Sequence, residues 1–210
     1  MNEDVSLKVL ETYVEIDKIH DEINNKMFNF ITMASEFVDT SEDDYQIEKT
    51  TELNKISLKD YVLNSPCCIK LKEVNVSSYT IDELKQYLDQ YANEYNEDVS
   101  KYYRAIEIYE FIESIEDLVD KKVEMEINEI NYFNPNINKT LELENKDDYE
   151  KLYIESKDII DNDFTNNKIN EKAHTIIIQM LNDIFNYFIS GYPQIDDEYL
   201  YKIDLVDNVE

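Results

Sequence analysis

Glycine occurs once in the 210 residues, at Gly191, and there are three prolines and no tryptophan. A Walker loop and a Rossmann fingerprint each need more than one glycine. Nucleotide enzymes built on those loops are therefore excluded. Mixed α/β folds also use glycine for tight turns and close backbone approach. A chain this poor in glycine and proline favours long helices joined by few sharp turns.

Arginine is almost as scarce, with Arg104 the single example. Nucleic-acid binding draws most of its strength from Lys and Arg on phosphates, so direct binding of DNA or RNA is not expected. The two cysteines, Cys67 and Cys68, are adjacent. They offer neither a spaced metal pair nor a disulfide framework. No stretch approaches the ~20 apolar residues of a membrane span. The first twenty residues are acidic and lack the apolar core of a signal peptide. A cytoplasmic protein with no membrane partner is the expectation.

What the chain has in excess is negative charge. Asp and Glu number 48 against 20 Lys and Arg, a formal net charge of −28. Hydrophobic residues still make up 42%, with 17 Tyr and 8 Phe, which is enough for a core. Disordered chains combine high charge with few aromatics; this one does not. It reads as a folded chain under strong self-repulsion, and an acidic surface of this size attracts basic surfaces.

Residues 4–39 predict one long helix. Val9, Tyr13, Ile16, His20, Ile23, Met27, Phe30, Ala34 and Phe37 alternate steps of four and three, the heptad pattern of a helix that buries one stripe. Its mixture of Tyr, Met and Phe favours an intramolecular bundle over a two-stranded coiled coil. Residues 40–65 read as an acidic connector with a short helix at 57–63, and 67–76 as a strand. Thr80-Ile-Asp-Glu83 is a capping box that opens a second long helix over about 81–121. Its stripe is Leu88, Tyr91, Tyr95, Tyr102, Ala105, Tyr109, Ile112 and Val119, and it should pair with the first helix. Val123, Met125 and Ile127 then alternate with glutamates, and Leu141 and Leu143 do the same beyond Asn134-Pro-Asn136. That pattern predicts a β-hairpin over about 122–145. Helices at 146–161 and 168–190 follow. Gly191 marks the second one's end, and an acidic tail occupies 192–210. The expected fold is mainly α with an α+β element: long antiparallel helices and a small antiparallel sheet, in a single domain over 1–210.

The sharpest candidate site is the acidic side of the second long helix. Glu110, Glu113, Asp117, Asp120 and Glu124 lie at 3-4-3-4 spacing, with Glu107 one step before them. Steps of three or four residues advance about 5 Å along a helix at 1.5 Å per residue. A row of carboxylates at that interval can stand in for a strand of phosphates, and Tyr103 is a candidate exposed apolar anchor. Like charges at this spacing weaken a helix by ~0.2–0.5 kcal/mol per pair, so a row of them suggests a use. The competing reading is a solvated face.

Other patterns carry less. Asp161, Asp163, Thr165 and Asn167 alternate as calcium ligands do, but Asn166 stands at the sharp turn where glycine is needed and Lys172 at the twelfth position. His20 and His174 have no serine, cysteine or second histidine in a catalytic spacing. No catalytic residue, metal or cofactor is assigned.

In charge, size and absence of catalytic motifs the chain resembles acidic phage-encoded inhibitors that mimic DNA, such as anti-restriction and anti-CRISPR proteins. No shared signature accompanies that likeness, so no residue is carried over. It implies a non-enzymatic inhibitor that occupies a basic, nucleic-acid-binding surface of an enzyme or effector complex. An immunity protein or antitoxin that neutralises a basic toxin enzyme would use the same electrostatics. A structural coiled-coil protein, with charge serving solubility alone, is the third reading.

Self-repulsion has a measurable consequence. Salt screens exposed charges over about 10 Å at 0.1 M. The midpoint of thermal unfolding is expected to rise between low and moderate salt, and a fall in a calorimetric salt series would contradict this picture.

Overall fold

The computed structural model describes residues 2–40, 53–66, 68 and 79–190. Six α-helices account for most of them: α1 (Asn2–Thr40), α2 (Lys55–Leu63), α3 (Ile81–Tyr95), α4 (Ser100–Asn131), α5 (Lys146–Thr165) and α6 (Glu171–Ser190). A 3-10 helix, Pro135–Glu142, joins α4 to α5. No strand occurs among the described residues. The described residues are all-α, which overturns the α+β expectation and the hairpin at its centre.

The hairpin fails for a reason visible in α4. Five residues that alternate apolar and acidic satisfy a period of two, but Val119, Val123, Ile127 and Ile130 also satisfy the helical period, and all four are buried. The helix already running upstream decides between them. Its core stripe continues to Asn131, so the 122–145 hairpin is replaced by helix and a 3-10 segment. Proline at the start of that segment suits a first helical turn. Ile137 and Thr140 turn inward, while Leu141 stays 70% exposed. The strand placed at 67–76 falls almost wholly outside the described residues, as do Gly191 and the tail 192–210.

The second long helix is in fact two. Asn96 ends α3 in the left-handed region at φ 52°. Asp98 Oδ1 then accepts the amide of Ser100, 2.9 Å away, at the start of α4. The capping box at α3 is formed as expected: Glu83 N donates to Thr80 Oγ1 at 3.2 Å, and Thr80 N donates to Glu83 Oε2 at 2.8 Å.

The described residues of Met1–Asn24 and Glu116–Glu210 form one compact unit, the terminal unit. Those of Asn25–Ile115 form another, the middle unit. In the middle unit, Phe30, Ala34 and Phe37 of α1 are buried with Tyr61 of α2, Leu84 and Leu88 of α3, and Ala105, Ile106 and Ile108 of α4. The Tyr61 ring lies 5.3 Å from Phe37, edge-on, and 5.5 Å from Tyr102. Lys26 Nζ donates to Ser114 Oγ and Arg104 pairs with Glu36, which sets these parts of α1 and α4 antiparallel.

In the terminal unit, Val9, Ile16 and Ile19 of α1 are buried with the α4 stripe and with Ala173, Ile177, Met180, Leu181 and Ile184 of α6. The helices α5 and α6 run antiparallel. Tyr149 stacks on Phe188 at 5.7 Å, Tyr153 donates to Asn182 Oδ1 at 2.8 Å, and Asp161 meets His174 at 2.7 Å. The turn between them passes through Asn167, again left-handed at φ 54°. The residues that alternate like calcium ligands mostly sit on α5 itself. Asp161 pairs with Lys157 and His174, and Asp163 with Lys168.

Two phenylalanines on α1 make opposite predictions. Phe30 is fully buried, whereas Phe28 is 65% exposed. Phe30→Ala is expected to cost about 3–5 kcal/mol in urea unfolding, the usual range for an emptied aromatic site. Phe28→Ala should stay within about 0.5 kcal/mol of wild type.

Candidate functional site

The acidic residues all lie on α4, the first three of them in the middle unit and the last three in the terminal unit. They differ in what they touch. In the middle unit, Glu107 accepts from Arg104 Nη1 at 3.1 Å. Glu110 pairs with Lys85 of α3, and Glu113 lies 3.5 Å from Lys55 Nζ of α2. Lys55 also sits over the Tyr109 ring at 5.5 Å. These three carboxylates are thus matched by cations from their own unit, two of them by residues distant in sequence. The row in this unit is partly neutralised, and exposed pairs of this kind contribute only ~0–1 kcal/mol each.

The other three carboxylates belong to the terminal unit. Asp117 and Glu124 are exposed and have no cationic partner among the described residues. Asp120 accepts the Tyr187 hydroxyl at 2.8 Å. Tyr103, offered as an exposed anchor, is half-buried. Its hydroxyl approaches Asp89 Oδ1 at 2.6 Å and the Lys85 carbonyl at 3.2 Å. Burial, with Asp89 beside it, pushes its phenol up to about 12. Its hydroxyl is committed to Asp89 and Lys85 of its own unit.

A larger uncompensated set lies on α1 in the same terminal unit. Asp4, Glu11, Glu15, Asp17, Asp21 and Glu22 are all exposed, and none meets a cation among the described residues. The heptad stripe drew attention to the opposite side of this helix. The signal was there in the sequence: seven carboxylates in the first 24 residues against Lys8 and Lys18, and Lys8 is drawn over the Tyr132 ring at 5.5 Å.

The terminal unit also holds a cluster that sequence reasoning missed. Glu126 is 1% exposed. Its Oε1 accepts from Lys122 Nζ at 2.7 Å, and the same ammonium donates to Asp183 Oδ2 of α6 at 2.7 Å. Glu126 Oε2 is buried without a hydrogen-bond partner. Burial pushes the Glu126 carboxyl up to about 8, with Lys122 pulling it back and Asp183 adding to the rise. Lys122 is held above its ordinary value because Glu126 and Asp183 together outweigh its own desolvation. Three residues on, Glu129 is buried as well and accepts the Thr12 hydroxyl at 3.0 Å. The alternating pattern had put Glu126 in the expected hairpin, as one of the glutamates between Val123, Met125 and Ile127. The helical register turns it inward.

Glu126 and Lys122 line a cavity of about 130 Å³, along with Asp17 and His20 of α1 and Asp183 and Gln179 of α6. Among the described residues, no group of three or more His, Cys, Asp or Glu side chains is placed to hold a metal ion. No described helix is long and apolar enough to cross a membrane.

The chain matches no protein-family model, no curated protein and no solved structure.

The buried carboxyl makes stability depend on pH in a direction opposite to that of a salt-bridged surface acid. Between the ordinary value of 4.5 and about 8, the folded protein keeps a proton on Glu126 that the unfolded chain has released. The unfolded state then binds fewer protons, so stability falls as pH rises through that window and the loss is complete above it. Glu126→Gln removes this dependence. The variant is expected to gain stability relative to wild type as pH is raised from about 5 to about 8.5, read from paired urea titrations; a constant difference would contradict the raised value.

Proposed function

We propose that this protein is a non-enzymatic binding protein that occupies a basic, nucleic-acid-binding surface of a partner protein and blocks it. The observation that carries the reading is the uncompensated charge of the terminal unit. Six exposed carboxylates on α1, with Asp117 and Glu124 on α4, lack a cationic partner among the described residues. Helices hold such groups at fixed intervals, so the charge is presented without the entropy cost of ordering a flexible tail. Attraction between this surface and a basic groove speeds encounter and weakens as salt rises. The middle-unit part of the α4 row contributes less, because Arg104, Lys85 and Lys55 already face Glu107, Glu110 and Glu113.

The test uses a partner isolated by affinity capture and then measured directly. Asp117→Lys/Glu124→Lys changes two exposed side chains with no ion pair to break. It is expected to slow association about tenfold at low salt, with the difference shrinking as salt is added. Nucleic acid should compete with the protein for that partner. Simultaneous binding of both, or unchanged association by the double variant, would overturn the reading.

A further inference from the structure

The cavity beside Glu126 has the features of a built site. From α1, Tyr13, Asp17 and His20 face it; from α4, Lys122 and Glu126; from α6, Asp183. Ile16 and Met180, 3% and 1% exposed, supply an apolar part of the wall. Gln179 of α6 also lines it, and the polar part holds three carboxyl groups against one ammonium. Lys122 is the one ammonium in the lining, and it is spent on Glu126 Oε1 and Asp183 Oδ2. Asp17 has no cationic partner among the described residues. Glu126 Oε2 is buried with nothing to bond to, although leaving a buried acceptor unmatched ordinarily costs about 1–3 kcal/mol.

We propose that this cavity binds one compact organic cation, an alkylammonium or guanidinium group, against Glu126, Asp17 and Asp183. Three carboxyl groups against one ammonium leave room for a further positive charge. The volume of about 130 Å³ is roughly ten times the ~10–15 Å³ that a single water needs, which suits a head group with a short stem and exceeds a single ion. The stem packs on Ile16 and Met180. The N–H groups meet Asp17 and Asp183 directly, and they reach Glu126 Oε2, which is closed off from solvent, once its side chain turns toward the cavity. The same chemistry comes from two sources: a free amine or guanidine, or a Lys or Arg side chain of a protein. The site does not depend on the partner reading above, because a free cation fills it equally.

Occupancy is coupled to a proton. Burial pushes the Glu126 carboxyl up to about 8, so it holds its proton at neutral pH. An arriving cation favours its ionised form and drives that proton off into solvent. Affinity therefore rises as pH is raised toward 8. Lys122 and Asp183 remain paired throughout, and His20, Asp17 and Tyr13 are the other titratable groups that face the cavity.

The experiment is calorimetric titration of the whole chain near neutral pH with methylguanidinium, with propylammonium, and with a blocked neutral peptide carrying one arginine. Each titration is run in two buffers of different ionisation enthalpy. Saturable one-to-one binding with proton release is expected. Glu126→Gln should abolish the proton release and weaken binding about tenfold, the loss of one charge-assisted contact. His20→Asn should leave the proton release in place. Tighter binding of the peptide than of the free cations identifies a protein side chain as the source; the reverse order identifies a small molecule. Asp17→Asn changes a lining residue that is itself exposed, and it is expected to weaken binding severalfold even if Glu126→Gln fails to fold. Non-saturating heats, a response reproduced by added sodium chloride, or equal binding by wild type, Glu126→Gln and Asp17→Asn would overturn the site. In that case the cavity holds water only.

Discussion

Packing apolar helix stripes against one another has to succeed here while every helix carries carboxylates that repel their neighbours. The core does this with aliphatic and aromatic side chains in unbroken helical register. Val119, Val123, Ile127 and Ile130 make one continuous buried edge in the terminal unit, and Phe30, Ala34 and Phe37 do the same in the middle unit. Burial at ~25 cal/mol per Å² of apolar surface is non-directional and unaffected by charge sign. Charge can therefore accumulate on the outer faces as long as it stays out of the stripe. The cations present are used locally, at Lys55, Lys85 and Arg104 in the middle unit and at Lys122, Lys157 and Lys168 in the terminal unit.

Glu126 is the exception to keeping charge outside, and it shows what the exception requires. The carboxyl is buried beside an ammonium that it shares with Asp183. A buried pair regains its desolvation cost only when the remaining lone pairs are also satisfied. One oxygen of Glu126 is not, and the group responds by holding its proton. Glu129 resolves the same difficulty differently, by accepting the Thr12 hydroxyl.

Long-range periodicity made much of the fold legible. The α1 stripe is continuous over nine named positions, and the helix is found over Asn2–Thr40. The capping box at Thr80 located the start of α3, and the short helix in the 40–65 connector appears as α2. The hairpin was misread because Val123 to Ile127 is too short a window to separate a period of two from one of 3.6. Only the upstream stripe distinguishes them. The break between α3 and α4 had a signal that was passed over: the predicted stripe jumps from Tyr95 to Tyr102 across Asn96 and Asp98, residues that favour caps. The candidate site was less legible. Spacing put Glu110 and Glu113 in a row, but their partners Lys85 and Lys55 are 25 and 58 residues away in sequence. Local spacing carries no information on such pairs. Glu126 was invisible for the same reason, since its burial depends on α1 and α6 closing over it.

Where a helix needs a left-handed residue to stop, most proteins place glycine. Here the two described left-handed positions are Asn96 and Asn167. Asparagine tolerates that conformation through its short polar side chain, and it restricts the unfolded chain more than glycine does. A backbone with a single glycine thus has fewer conformations to lose on folding. At these two positions the denatured ensemble is entropically poorer than it would be with glycine. Part of the tolerance for a net charge of −28 therefore resides in the state the protein leaves and not in the one it reaches.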